Sequence, residues 1–174
     1  MKDSAVLIID LINDFHFSEG DLLLNETKRI LPNIKRLKQY AKKHSLPIIY
    51  VNDHYDTWET DYKKIADKCK SETNQDIIAE GGLPSKEDYF LIKPKLSGFF
   101  RTTLPSLLEQ LGIKHLIIAG IAGNICVLFT ANDAHMRGYT LHVPENCIAS
   151  NTRIHNEEAI RLMVKVMKAK TDPI

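Results

Sequence analysis

HLIIAGIAGNICVLFTANDAHMRG, residues 115–138, contains a complete change of secondary structure. Its first part, HLIIAG, is apolar and rich in isoleucine, which is typical of a buried strand. Helical spacing begins near Asn124 and ends at Gly138, and small residues join the two parts. The stretch therefore predicts a strand, a tight turn and a helix, with Cys126 close to the start of that helix.

Short apolar runs alternate with longer amphipathic runs along the rest of the chain. Strands are predicted at residues 5–10, 47–51, 89–93, 115–120 and 140–143, with a weaker sixth strand at 147–149. Helices are predicted at residues 28–43, 103–111, 124–138 and 156–170. Pro32 fits the first of these helices only if it lies in the first turn. The alternation predicts an α/β fold with a parallel sheet covered by helices on both sides, as one domain over residues 1–174.

Charge and composition exclude several classes of function. The 23 basic and 22 acidic residues almost balance, which favours neither nucleic acid nor an anionic membrane as a partner. No apolar run approaches the roughly 20 residues that cross a bilayer, and the first residues do not resemble a signal peptide, so we expect a cytoplasmic protein. Cys69, Cys126 and Cys147 form no CxxC pair, so neither a disulfide framework nor a cysteine zinc site is predicted.

Three reactive residues follow three predicted strands. Asp10 ends the first strand, Lys93 ends the third, and Cys126 comes soon after the fourth. Each has a structural alternative, since Asp10 could cap a helix, Lys93 could be solvated and Cys126 could pack in the core. Because ligands of parallel sheets bind at the carboxyl ends of the strands, all three could instead meet at one site.

The position of Cys126 suggests an activated thiol. If Asn124 caps the helix, Cys126 lies in its first turn, where free N–H groups and the helix dipole lower the pKa of a thiol. Asp10 could accept the thiol proton and Lys93 could stabilise the thiolate or polarise the substrate. The amides of the helix start could hold an oxyanion.

Three segments in order carry a resemblance to a known family. They are IIDLINDF (residues 8–15), KPKLSGF (93–99) and AGIAGNICVLFTANDAHMRGY (119–139). Over essentially its whole length the chain resembles the isochorismatase-like cysteine hydrolases, which include nicotinamidases, carbamoylsarcosine amidohydrolases and streptothricin hydrolases. The resemblance implies a six-stranded parallel sheet of order 3-2-1-4-5-6 between two helix layers, in a Rossmann-like arrangement.

The same resemblance implies a catalytic triad of Asp10, Lys93 and Cys126. It also implies a cis peptide bond between Ile121 and Ala122, just before the nucleophile. The Ala122 and Cys126 amides would then form the oxyanion hole. One departure lies beside them, because the usual Thr-Asp of the family is replaced by Gly-Asn at residues 123–124.

A second departure concerns metal binding. Nicotinamidases of the family bind a metal through an Asp-x-His pair, whereas here Asp53 is followed two residues later by Tyr55. His54 is adjacent to Asp53, and neighbours on an extended segment point to opposite sides. No metal and no other cofactor is predicted.

The resemblance and the sequence around these motifs also suggest pocket residues. Their alternatives are structural, since Asp14 could only brace its loop and the aromatic residues could only pack. The candidate substrate-pocket residues are Asp14, Phe15, Asn52, Tyr55, Trp58 and Phe99.

Three functions remain open from the sequence. The first is hydrolysis of an amide-type C–N bond of a small molecule through a thioester on Cys126. The second is isochorismatase-type cleavage of a vinyl ether, which would need Asp10 but no thiol. The third is a catalytically silent scaffold with the same fold. The resemblance further implies a homo-oligomer, either a dimer or a tetramer, and the substrate itself is not predicted.

Overall fold

A parallel sheet of six strands forms the centre of the computed structural model, which describes residues 3–174. The strands are β1 (Ser4–Ile9), β2 (Ile48–Asp53), β3 (Tyr89–Lys93), β4 (His115–Ile121), β5 (Thr140–His142) and β6 (Ile148–Ala149). β1 pairs with β2 on one side and with β4 on the other. All six residues of β1 are buried, which explains why its sequence is continuously apolar rather than alternating.

The order of the last strands differs from the predicted 3-2-1-4-5-6. The sheet runs β3-β2-β1-β4-β5, and β6 pairs with β4 instead of β5. β5 pairs with the first residues of β4, at His115, whereas β6 pairs with its last residues, Gly120 and Ile121. Because both strands are short, they lie end to end along the same edge of β4.

Helices cover both faces of the sheet, as the α/β prediction requires. The helices are α1 (Gly20–Lys43), α2 (Tyr62–Cys69), α3 (Gln75–Ile77), α4 (Leu104–Gln110), α5 (Leu128–Met136) and α6 (Arg153–Met167). Buried residues of α4, α5 and α6 pack with one face of the sheet, and those of α1 pack with the other. The three-layer fold class is therefore confirmed. Within the described residues, no helix combines the length and the apolar character needed to cross a bilayer.

The first helix is longer than its sequence pattern predicts. It begins at Gly20, eight residues before the predicted start at residue 28. Pro32 consequently lies in the helix interior and not in the first turn, which corrects that prediction. Pro32 is exposed, so the backbone hydrogen bond that proline cannot donate is lost on the solvent side of the helix.

Gly120 allows β1 and β4 to approach closely at the edge where the reactive residues lie. Its φ is +115°, and a Cβ at this position would lie 2.1 Å from the carbonyl oxygen of Ile9. Any larger residue would push β4 away from β1 directly before Asp10. Glycine here fixes the relative positions of Asp10 and the turn that carries Cys126.

Candidate active site

Asp10 is held by contacts to both oxygens of its carboxylate. It follows β1 with a φ of 50°, in the left-handed region, and its side chain is buried. Oδ1 accepts a hydrogen bond of 2.8 Å from the Asp53 amide at the end of β2. Oδ2 lies 2.8 Å from the Lys93 Nζ at the end of β3. The carboxyl ends of three neighbouring strands therefore fix this side chain in one orientation.

Lys93 is a buried cation with only 1% of its surface exposed, so the solvated alternative for this residue is wrong. In addition to Asp10, its Nζ donates to the Lys95 carbonyl at 3.2 Å and to the Cys126 Sγ at 3.5 Å. Burial acts to lower the pKa of Lys93, but the charge of Asp10 and the interaction with the Cys126 sulfur outweigh burial and raise the pKa. Lys93 is thus held as an ammonium between the carboxylate and the sulfur.

A π-helical turn, Gly123–Val127, carries Cys126 between β4 and α5. The Ile121–Ala122 peptide bond before it is cis, as the resemblance implies. Asn124 does not cap the helix, because the capping position is Ala122 and Asn124 lies inside the turn. The Asn124 amide instead donates to the Ser150 Oγ at 3.0 Å. The predicted local cap is therefore wrong, and the acceptor comes from the segment after β6.

Ser150 also explains the glycine at position 123. Its Oγ donates to the Asn156 Oδ1 at 2.9 Å, so the two side chains form a linked pair beside the turn. A Cβ on Gly123 would lie 2.3 Å from the Asn156 Oδ1 and 2.9 Å from the Ser150 Oγ. The departure from the family's Thr-Asp pattern is thus compatible with the neighbouring residues of this chain.

The carbonyl at the start of the turn does not accept from the amide of the nucleophile candidate. The Ala122 carbonyl accepts from Ile125 at 3.0 Å and from Val127 at 3.1 Å, and so passes over the Cys126 amide between them. The Ala122 amide also makes no backbone hydrogen bond outside the regular elements of residues 3–174. Amides left free at a helix start can bind a negative charge.

The resting thiol is protonated, contrary to the prediction of a lowered pKa. Burial and then the Asp10 carboxylate raise the pKa of Cys126 from 9.0 to about 12, although Lys93 opposes the change. Burial likewise raises the pKa of Asp10, against the effect of Lys93. The Lys93 Nζ contacts both groups, at 2.8 Å from the Asp10 Oδ2 and 3.5 Å from the Cys126 Sγ, and so holds the thiol and the carboxylate at one place. The geometry therefore suits transfer of the proton from the thiol to Asp10 better than a preformed thiolate.

A cavity of about 490 Å³ opens onto Asp10 and Cys126. Two predicted pocket residues, Asp14 and Tyr55, line it. Several other lining residues were not among the predicted pocket residues. They lie between β1 and α1, in the first turn of α1, at the end of β2, in the turn that carries Cys126, and after β6. These further lining residues are Asn13, His16, Phe17, Ser18, Leu23, Asp53, Ile125 and Asn151. The strand-end rule could have indicated Asn151, because it follows β6 at the same edge.

A larger hollow of about 660 Å³ lies at the opposite edge of the sheet. Its lining includes Ser4, His115 and Thr140, the first residues of three parallel strands. Ligands of parallel sheets bind at the carboxyl ends instead, so the smaller cavity is the candidate site.

Comparison with known proteins identifies the family. The isochorismatase domain model matches residues 4–172. The chain belongs to the isochorismatase family. It is a hydrolase of this family.

Individual members of the isochorismatase family resemble the chain over most of its length. The isochorismatase family protein YaaI of Bacillus subtilis, described as uncharacterized, is 50% identical, with 97% of this chain and 92% of YaaI covered. The ureidoacrylate amidohydrolase RutB of an Enterobacter species is 31% identical, with coverages of 79% and 71%. The crystal structure of an N-carbamoylsarcosine amidase from Thermoplasma acidophilum has a TM-score of 0.74 and 26% identity, with coverages of 98% and 96%.

Two predicted pocket residues pack inside this isochorismatase fold instead of lining the cavity. Phe15 is buried against α1, and Phe99 is buried in the core on the opposite face of the sheet. Neither is among the residues that line this cavity, and their role in a pocket stays a prediction.

Asn52 and Trp58 also lie outside the cavity lining. Asn52 is buried and accepts from the Ile12 amide at 3.1 Å while donating to the Ile12 carbonyl at 2.9 Å. Trp58 has 63% of its surface exposed and stacks on His54 at 4.5 Å between ring centroids. Asn52 thus braces the loop after β1, and Trp58 packs on the loop after β2. A contact of either residue with a ligand stays a prediction.

The residues at the metal position of nicotinamidases do not fit a metal here. The Asp53 Oδ1 accepts the Tyr55 amide at 2.8 Å, and the His54 Nδ1 accepts the Asp56 amide at 2.9 Å. Among the side chains that the structure describes, no three or more of His, Cys, Asp or Glu are grouped to hold a metal ion.

Proposed function

We propose that the chain hydrolyses an amide-type C–N bond of a small molecule through a thioester on Cys126. One observation carries this proposal, namely that the Lys93 Nζ lies 2.8 Å from Asp10 and 3.5 Å from the Cys126 Sγ beside an open cavity. The names of the amidohydrolase and amidase relatives, which denote C–N hydrolases, support the same class of reaction.

Acylation begins with the neutral thiol. As the sulfur attacks the substrate carbonyl carbon, its proton passes to the Asp10 carboxylate, and the C=O electron pair becomes an oxyanion. The Ala122 and Cys126 amides donate to this oxyanion. Lys93 remains an ammonium and stabilises the developing charge on the sulfur. Asp10 then gives the proton to the nitrogen, the C–N bond breaks, and ammonia or an amine leaves the thioester.

Deacylation uses the same groups in reverse. Asp10 removes a proton from a water molecule, which attacks the thioester carbon and forms a second oxyanion at the two amides. When the C–S bond breaks, the proton on Asp10 returns to the sulfur. The products are a carboxylic acid and the free thiol, so the net reaction consumes one water and restores the resting state.

Hydrolysis by two variants tests the proposal against the other candidate functions. With a panel of primary amides and ammonia release as the readout, we expect Cys126→Ala and Asp10→Asn each to lose at least about 10³-fold in kcat. If a vinyl ether is hydrolysed by the wild type and by Cys126→Ala but not by Asp10→Asn, the function is vinyl-ether cleavage instead. Absence of any turnover in the wild type would indicate a scaffold.

A covalent intermediate gives a second readout. Intact-mass measurement after rapid acid quenching should show an acyl adduct on wild-type protein and none on Cys126→Ala. Cys147→Ala is the matched control, because it removes a buried thiol that does not line the cavity. It should retain both the adduct and the activity, and loss of the adduct in this variant would contradict the assignment to Cys126.

Other aspects of the biology remain proposals. We propose a single domain over residues 1–174, a cytoplasmic location, and a homo-oligomer that is a dimer or a tetramer. Exposed apolar side chains on the outer face of α5, Phe129 and Met136, are compatible with a subunit contact. Light scattering at micromolar concentration would distinguish a monomer from an oligomer.

A further inference from the structure

Carboxylates dominate the charge of the candidate cavity. Asp10, Asp14 and Asp53 all line it. The nearest buried cation, Lys93, is not available to a ligand, because its Nζ already contacts Asp10, the Lys95 carbonyl and the sulfur. A charged ligand must therefore find its opposite charge among the other side chains that line the cavity.

Asp14 and Asp53 each use only one carboxylate oxygen in the hydrogen bonds of the described residues. The Asp14 Oδ1 accepts the His16 amide at 2.9 Å, and the Asp53 Oδ1 accepts the Tyr55 amide at 2.8 Å. In the described part of the chain, the second oxygen of each makes no hydrogen bond or ion pair that would occupy it. Asp14 is exposed, so its free oxygen can meet a ligand without a large change in solvation.

The charges of all three carboxylates act on the Tyr55 hydroxyl. Burial raises the pKa of the Tyr55 hydroxyl, and the charges of Asp10, Asp14 and Asp53 raise it further. The Tyr55 hydroxyl donates to the Ile12 carbonyl at 2.8 Å, which fixes it at the cavity wall. A negative potential therefore extends across the cavity beside Tyr55.

Lys93 offsets the charge of Asp10, but no lysine or arginine is among the described residues that line the cavity with Asp14 and Asp53. His16 is the only basic side chain among the described lining residues. Lys68 donates to the Tyr55 carbonyl at 3.1 Å but does not line the cavity. At the rim, the Glu19 Oε2 accepts a hydrogen bond of 3.1 Å from the side-chain Nδ2 of Asn151, which adds another carboxylate.

We propose that the preferred substrate is a cationic amide, with an ammonium group a few bonds from the reactive carbonyl. This inference rests on the proposed amide hydrolysis at Cys126. The ammonium contacts the free oxygens of Asp14 and Asp53, and the carbon chain packs on the apolar lining, which includes Phe17 and Ile125. A carboxylate at the same place meets like charges and no free cation, so acidic amides are poor substrates.

Three amides of matched length test the charge preference. 4-Aminobutanamide is cationic at neutral pH, butanamide is neutral, and succinamic acid is anionic. We expect kcat/KM to fall in that order, by about fivefold to tenfold at each step at low salt. Added sodium chloride should reduce the differences, because it screens charges at an open cavity.

A pair of charge variants assigns the preference to the cavity. Asp14→Asn should reduce the ratio of cationic to anionic kcat/KM by about fivefold to tenfold. The matched control Asp67→Asn removes an exposed carboxylate on α2 that does not line the cavity. It should leave the ratio unchanged.

Binding to an inactive variant separates this inference from the proposed reaction. The three amides are titrated calorimetrically into Cys126→Ala, where preference for the cation supports the inference even if the wild type hydrolyses none of them. Equal or tighter binding of succinamic acid, or binding of none of the three, overturns it. An unchanged ratio in Asp14→Asn also overturns it.

Discussion

The charge of Asp10 has opposite effects on hydrolysis and on simple thiol reactivity. In the resting protein this carboxylate raises the pKa of Cys126, while Lys93 lowers it. The same carboxylate accepts the thiol proton in the proposed reaction. These two roles can be separated, because alkylation by iodoacetamide depends on the thiolate fraction and does not need the amide chemistry.

We therefore predict that Asp10→Asn makes Cys126 more reactive towards iodoacetamide while hydrolysis is lost. Removing the carboxylate lowers the thiol pKa, and each unit of lowering increases the thiolate fraction about tenfold below the pKa. Alkylation rates between pH 7 and pH 10, followed by intact mass, measure the effect.

Lys93→Met provides the opposite change for comparison. It removes the charge that favours the thiolate, so Cys126 should be alkylated more slowly than in the wild type. Cys126→Ala gives the background from Cys69 and Cys147, which are both buried. If Asp10→Asn and Lys93→Met slowed alkylation equally, the proposed opposition of charges would be wrong.

The reactive residues could be placed from the sequence, whereas most of the pocket could not. Asp10 and Lys93 adjoin strand ends, and parallel strands bring their carboxyl ends together whatever the loops do. Phe15, Tyr55 and Trp58 have φ values of 57°, 46° and 52°, in the left-handed region that non-glycine residues seldom adopt. Such residues reverse the local direction of the chain, so alternation along an extended segment no longer tells which side chains face the cavity.

At the scale of elements, the turn that carries Cys126 depends on residues remote in sequence. Sequence patterns identify a cap by its proximity to the helix, and Asn124 satisfies that rule. The structure supplies the acceptor from Ser150, 26 residues further along the chain. A local rule cannot detect this contact, because the pairing of β6 with the end of β4 is what places Ser150 beside the turn.

We predict that Ser150→Ala lowers both the stability and the kcat of the protein. The change leaves the Asn124 amide and the Asn156 Oδ1 without their hydrogen bonds to the Ser150 hydroxyl, at a cost of about 1–2 kcal/mol. Because Cys126 is two residues from Asn124, its amide should lose its alignment. We expect kcat to fall about tenfold with little change in KM, and urea unfolding measures the stability.

Ser85→Ala is the matched control for this prediction. The Ser85 Oγ is buried and has no hydrogen-bond partner in the described part of the chain, so its removal should not reduce the free energy of unfolding. An equal loss of kcat in both variants would contradict a positioning role for Ser150. A loss of stability in Ser150→Ala without any loss of kcat would contradict it as well.

At the scale of the whole molecule, the sequence predicted the layers better than the strand order. Continuous apolar strands require cover on both faces, so the three layers follow from burial alone. The pairing of β6 does not follow from burial, because a strand of two residues is too short to show a sequence pattern. Gly120 and Ile121 extend β4 past the end of β5, and this length provides the edge on which β6 pairs.

Folding also buries thiols in separate parts of the molecule, and this makes stability depend on pH. Cys147 packs with the α1 face of the sheet, and Cys69 lies in a smaller cluster around α2. Burial raises the pKa of each from 9.0 to about 12. Since the pKa is raised by folding, the stabilisation is fully present below pH 9.0 and is lost as the pH rises towards about 12.

We predict that the free energy of unfolding falls as the pH rises from about 9 to 11, by up to about 1.4 kcal/mol per pH unit for each buried thiol. The unfolded chain releases these protons and the folded chain retains them, so the sign of the slope is negative. Urea unfolding at several pH values measures it. Cys69→Ala and Cys147→Ala should each flatten the slope, and combining them should flatten it further. Burial also raises the pKa of Cys126, Tyr50 and Tyr55, so these groups leave some slope in the double variant. A slope equal to that of the wild type would contradict the prediction.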